Sequence, residues 1–169
     1  MPVNIEIKAR CPDPGAAAKI LAGLGADHRG TDHQIDTYFT VNEGRLKLRE
    51  GSIEKNLIYY KRSDQAGPKK SEVLLYPGGE NPHLKKILEE VLGIMVVVDK
   101  HRDIYFIDNV KFHIDRVEGL GNFLEIEAIG ESGEERALDK QCKHFMKILN
   151  ISDDQLLSVS YSDLLLERQ

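Results

Sequence analysis

The stretch Val3-Asn4-Ile5-Glu6-Ile7-Lys8-Ala9-Arg10 decides how this chain is read, because its alternation is strict. Ile5, Ile7 and Ala9 fall on one side of an extended chain, and Asn4, Glu6, Lys8 and Arg10 on the other. That period of two marks a half-buried strand. The polar side is the unusual one. A solvated strand face ordinarily carries neutral or mixed polar residues, whereas this one is almost wholly charged.

The same feature recurs downstream. In 45–50, Arg45, Lys47 and Arg49 oppose Leu46 and Leu48. In 96–103, Lys100 and Arg102 share a face. In 110–117, Lys111, His113 and Asp115 oppose Phe112 and Ile114. In 122–129, Phe123, Glu125 and Glu127 alternate with Leu124, Ile126 and Ala128. The charges sort by strand into basic and acidic sets. Helices break the pattern at predictable places. Asp13 before Pro14 is a start signal, followed by the apolar stripe Ala17, Ile20, Leu21 and Leu24, with Gly25 as the stop. Asn81 and Pro82 repeat the signal before Leu84, Ile87, Leu88, Val91 and Leu92, and Gly93 ends that helix. A third helix is predicted to begin near Ser132, where Glu135 completes a capping box, burying Leu138, Cys142, Phe145, Met146 and Leu149. A short last helix is predicted around 162–167. Gly119-Leu120-Gly121 reads as a hairpin turn rather than a phosphate loop, because no helix follows it.

The apolar faces must be buried, and the helices can cover them. If the sheet then closes, the charged faces line a lumen and no edge is left exposed. The alternative is an open α+β sheet with one solvated charged face.

Glu6, Glu125, Glu127 and Asp115 put hard oxygen ligands on polar strand faces, a donor set that suits Mg²⁺ or Mn²⁺ bridging to substrate phosphates. Beside them stand Lys8, Arg10, Lys47, Arg49, Lys61, Lys100 and Arg102. Seven cations in a confined space repel one another, and four carboxylates that also hold a divalent metal do not neutralise them. A triphosphate would supply the balance, with arginine gripping its oxygens bidentately and lysine adding point charge. His28, His33 and His144 form no ligand spacing and read as surface or structural residues.

The 169 residues suffice for one domain over 1–169 with a substantial core. Residues are 41% hydrophobic and 30% charged, which argues against disorder. The formal net charge of -5 argues against a general nucleic-acid binder, while leaving room for a local anion site. No stretch approaches the roughly 20 apolar residues of a membrane span. Glu6 interrupts the apolar run that a signal peptide needs. Cys11 and Cys142 are too few for a disulfide framework or a zinc site. The expectation is therefore a cytoplasmic protein with two reduced cysteines and no nucleic-acid or membrane partner. A homodimer is left open.

Asn4-Ile-Glu6-Ile-Lys8-Ala-Arg10 resembles the N-terminal E-x-E-x-K signature of the CYTH superfamily, the triphosphate tunnel metalloenzymes. Further segments match in order: Gln34-Ile-Asp36-Thr-Tyr38-Phe39, Arg45-Leu-Lys47-Leu-Arg49, Lys100-His-Arg102, and Asp115-Arg-Val-Glu-Gly-Leu-Gly121 leading into Phe123-Leu-Glu125-Ile-Glu127. Ser160-Tyr161-Ser-Asp-Leu-Leu is similar to the ending of the class IV adenylate cyclase branch, which with the thiamine triphosphatases is the part of the superfamily most like this chain. The resemblance implies an α+β fold, with a closed eight-stranded antiparallel tunnel barrel and helices packed outside. It implies metal on Glu6, Glu125 and Glu127, with Asp115 as a further ligand or as an orienter of a basic side chain. Catalysis then falls to Glu6, Lys8 and Asp115. Phosphates fall to Lys8, Arg10, Lys47, Arg49, Lys61, Lys100 and Arg102, and Lys70 is expected to reach the mouth from a loop. The implied reaction is ATP to cyclic AMP and pyrophosphate, the alternatives being hydrolysis of thiamine triphosphate or tripolyphosphate, or triphosphate binding without turnover. Asn4 departs from the signature. Its amide adds no charge and cannot act as a general base, so a second metal is in doubt.

Overall fold

The computed structural model describes residues 2–79 and 81–169. Eight strands form one closed antiparallel barrel: β1 (Pro2–Arg10), β2 (Asp27–Phe39), β3 (Arg45–Glu50), β4 (Lys55–Arg62), β5 (Lys69–Pro77), β6 (Ile94–Ile107), β7 (Val110–Val117) and β8 (Gly121–Glu131). Around the wall they run β1-β5-β4-β3-β2-β6-β7-β8, and β8 pairs again with β1. The open-sheet alternative is excluded, because both ends of the sheet find partners.

Closure fixes which face of each strand is inside. Ile5 and Ile7 of β1, Phe112 and Ile114 of β7, and Leu124, Ile126 and Ala128 of β8 point outward into the main core. They are covered by α1 (Pro14–Gly23) and α3 (Glu135–Ile148), which contribute Ala17, Leu21, Leu138 and Cys142. Both cysteines are buried and free. At one end of the barrel the inward residues turn apolar. Tyr38, Val96, Val98, Val117 and Phe123 pack there against Tyr161 of α4 (Tyr161–Leu166), so α4 plugs that end. At the other end the β3–β4 loop, residues 51–54, lies across the rim.

The helix start signals hold at α1 and at α2 (Pro82–Leu92): the Asp13 side chain accepts from Ala16 N at 3.0 Å and that of Asn81 from His83 N at 3.1 Å. The α3 start differs from the prediction at Ser132. Gly133 sits at φ 102, outside the helical region, so the helix begins only at Glu135 and its N-cap, Glu134, makes no side-chain cap bond. Glu134 and Glu135 instead fold back to accept from the backbone amides of Glu131 and Gly133. Among the described residues no helix is long and apolar enough to cross a membrane.

Candidate active site in the barrel lumen

The inward faces meet around a cavity of about 130 Å³. Among the described residues its lining carries the cations Lys8, Lys47, Arg49, Arg62, Lys100, Arg102 and Lys111, against the carboxylates of Glu6, Glu54, Glu125 and Glu127. Asp36 and Asp115 lie fully buried just behind them.

Strand register sets the acidic side. Glu6 on β1 stands directly opposite Glu127 on β8, and Lys8 opposite Glu125. Glu6 is paired to Arg62. Glu125 takes Lys8 at 3.3 Å, Arg102 at 3.3 Å and His113 Nδ1 at 3.0 Å. Among the described residues, Glu127 receives the Asn4 side-chain amide, which donates to its Oε1. Burial, with Glu6 and Glu125 nearby, pushes the Glu127 carboxyl up to about 7.

The basic side is anchored from behind. Asp36 accepts both Nε and Nη2 of Arg49 at 2.9 Å and the Lys100 ammonium at 2.6 Å, with Lys47 at 3.3 Å. Burial alone would raise the Asp36 carboxyl; these three cations hold it well below the usual range. Asp115 does the same for Arg102, accepting Nε and Nη2 at 2.7 Å each, and also accepts from Tyr161 Oη at 2.7 Å. Both Asp115 oxygens are thus committed and turned away from the cavity. That geometry matches the expectation of Asp115 as an orienter of Arg102.

Positive charge remains in surplus. Lys8, Lys69 and Lys100 all titrate below an ordinary lysine: burial is the main cause, and neighbouring Arg62, Lys8 or Arg49 add to it. Lys69 comes down to about 8 and donates to Ser158 O at 2.9 Å.

Of the residues expected in the site, Glu6, Lys8, Lys47, Arg49, Lys100, Arg102, Glu125 and Glu127 line the lumen. Arg10 shares the phase of Lys8 but emerges at the barrel end, exposed, with its guanidinium over the Phe123 ring at 5.5 Å. Lys61 points outward and pairs with Glu43 at 2.6 Å, because Tyr60 and Arg62 take the inward positions of β4. Lys70 lies on strand β5, not on a loop. It pairs in register with outward-facing Ile5 and reaches Glu135 at 3.1 Å, while Lys69 stands opposite Glu6. Asp36, Glu54, Arg62, Lys69, Lys111 and His113 are site residues that were not singled out. Lys111 and His113 had a signal, the phase they share with Asp115; Glu54 had none.

A divalent cation fits the acidic wall on one observation: Glu6 and Glu127 face each other at matched register, and burial beside Glu6 and Glu125 raises Glu127 to about 7 despite the Lys111 ammonium nearby. Among the described residues no three ligating side chains already converge on a point. Arg62, Lys8, Arg102 and His113 occupy the oxygens of Glu6 and Glu125.

Structure and lining define a tunnel-shaped barrel with its charge turned inward. The chain belongs to the CYTH family, whose domain model matches residues 3–161. It is 27% identical over 172 residues to a Methanocaldococcus jannaschii protein named "Putative adenylate cyclase", covering 96% of this chain and 98% of that one. The PH1012 protein of Pyrococcus horikoshii has the same fold at TM-score 0.83 and 23% identity, over 95% of this chain and 98% of its own. A Hippeastrum protein, described as "Putative adenylyl cyclase HpAC1" with a dominant triphosphatase activity, superposes at TM-score 0.59 and 17% identity, over 99% and 95%.

Proposed function

We propose that this protein is a metal-dependent enzyme acting on a triphosphate-bearing small molecule drawn into the lumen. One observation carries the reading: Lys8, Lys47, Arg49, Arg62, Lys100, Arg102 and Lys111 are crowded into one lumen beside the paired carboxylates of Glu6 and Glu127, and burial there lowers Lys8 and Lys100 and raises Glu127. A polyanion that arrives with a divalent cation relieves both at once.

Lys8, Lys47, Arg49, Lys100 and Arg102, with Arg62 and Lys111, bind the phosphate oxygens. Asp36 and Asp115 fix the guanidinium planes of Arg49 and Arg102, so these grips are preorganised. Glu6, Glu125 and Glu127 would hold Mg²⁺ or Mn²⁺, which when bound neutralises charge on the phosphate oxygens.

ATP cyclisation joins the ribose 3′-oxygen to the α-phosphorus and releases pyrophosphate. The Methanocaldococcus relative, matched over nearly its whole length, supports that form. Hydrolysis of thiamine triphosphate or tripolyphosphate is the second reading, because the charged side chains of the lining address phosphate oxygens whatever group the triphosphate carries.

Incubation with Mg²⁺ or Mn²⁺ and ATP, thiamine triphosphate or tripolyphosphate separates the two. Cyclic AMP with pyrophosphate marks a cyclase, and phosphate release a hydrolase. Binding without turnover would leave a triphosphate-binding module, and absence of binding would overturn the reading.

A further inference from the structure

Glu54 does not belong to the barrel wall. It enters the lumen from the β3–β4 loop, and a dedicated device holds it there. Buried Asp32 gathers that loop: its Oδ1 accepts Ser52 N at 2.6 Å, Ser52 Oγ at 2.9 Å and Ile53 N at 2.9 Å, and its Oδ2 accepts Glu54 N at 2.9 Å. Gly51 lets the loop pass this close. A methyl there would lie 2.6 Å from an Asp32 carboxylate oxygen and 2.7 Å from the Glu54 carbonyl oxygen.

So placed, the Glu54 carboxylate spans two cations. Oε1 takes Arg49 Nη1 at 3.1 Å and Gln34 Nε2 at 2.9 Å, and Oε2 takes the Lys111 ammonium. Burial would raise this carboxyl, yet Arg49, Lys111 and His113 hold it below the usual range. A planar anion bridging a guanidinium, an ammonium and an amide N–H occupies the geometry of two phosphoryl oxygens.

We propose that Arg49, Lys111 and Gln34 form the subsite for the phosphoryl group nearest the rim, and that Glu54 is the chain's own anion filling it until a triphosphate displaces it. The inference rests on the triphosphate reading and adds a selection rule to it. An anion of one or two phosphoryl groups can use the deeper cations around Lys100, Lys8 and Arg62 and leave Glu54 seated. A third phosphoryl group must expel it. Glu54 is then a specificity-determining residue whose displacement is felt only by the longer chain. Once the bond is cut, its return favours release of the shorter product.

The test is calorimetric titration of tripolyphosphate and pyrophosphate, each with Mg²⁺, into wild type and Glu54→Gln. The amide keeps the shape and removes the charge. Tripolyphosphate should bind Glu54→Gln at least tenfold tighter, pyrophosphate should change less than threefold, and the empty variant should melt lower because Lys111 loses its counter-ion. Gly51→Ala, which pushes the loop off Asp32 without touching the lining charges, should shift the same two affinities in the same directions and serves if Glu54→Gln fails to fold. Weaker or unchanged tripolyphosphate binding in these variants, or an equal gain for both anions, overturns the subsite. Failure of wild type to bind tripolyphosphate would instead sink the functional reading on which it rests.

Discussion

Glu127 on β8 stands opposite Lys111 and His113 on β7 opposite Glu125, and the two are displaced in opposite senses. Burial and the nearby Glu6 and Glu125 raise Glu127 from about 4.5 to about 7; burial and Arg102 lower His113 from about 6.5 to about 4. A raised carboxyl binds its proton more tightly in the folded state. Its stabilising effect is therefore complete below about 4.5 and is lost as pH rises through about 7. A depressed imidazole works the other way: its effect is present above about 6.5 and is lost as pH falls through about 4. Between those limits the two slopes oppose each other, each at most about 1.4 kcal/mol per pH unit. Glu127→Gln should therefore gain stability relative to wild type as pH rises across this window, and His113→Gln should lose it. Urea unfolding of the empty proteins at several pH values reads both. Profiles parallel to wild type in both variants would mean that neither group is displaced. Neither shift is legible in the sequence, which marks Glu127 as a carboxylate suited to a metal and His113 as part of a polar strand face. Displacement depends on what stands opposite, and strand register is not written in one strand.

At the scale of elements, legibility followed the contrast between faces. β1, β3, β6, β7 and β8 could be phased because charge sits on one side and aliphatic residues on the other. β4 hides its phase: Leu57, Ile58, Tyr59 and Tyr60 are apolar on both sides, and the adjacent Lys61 and Arg62 leave the inward cation undecided. Pairing with β3 and β5 settles it for Arg62, and pairing of β5 with β1 settles it for Lys69 over Lys70. The two helices opened by Asn or Asp before Pro were legible to the residue, whereas α3 was displaced by the turn at Gly133. The loop that delivers Glu54 carries no periodicity, so nothing local marked it. The β4 phase has a direct consequence. Arg62→Ala should weaken tripolyphosphate binding about tenfold or more, the scale of one charge-assisted contact. Lys61→Ala should leave it within about twofold, since Lys61 reaches only Glu43 on the outside. Titration of both variants checks this, and equal losses would contradict the inward assignment of Arg62.

The whole molecule is a closed wall that cannot relieve its lumen charge by opening an edge. The cations are held in place by Asp36 and Asp115 behind them and by α4 across one end, where Tyr161 both donates to Asp115 and lies under the Lys8 ammonium at 3.8 Å. Self-repulsion is therefore stored in the empty fold, and a bound polyanion should return it as stability. A ligand at a hundredfold excess over its Kd that binds only the folded state adds about 2.7 kcal/mol. For a chain of this size that corresponds to a rise in Tm of roughly 5–10 °C. Tripolyphosphate with Mg²⁺ should produce such a shift, and inorganic phosphate at the same ionic strength a far smaller one, because one phosphoryl group cannot meet cations spread from Lys8 to Lys111. The comparison removes general screening, which acts on both anions alike. Equal shifts for the two would point to nonspecific ion effects. A melt unmoved by saturating tripolyphosphate would show that the lumen charges are balanced without a substrate, and the tunnel would then have no need of one.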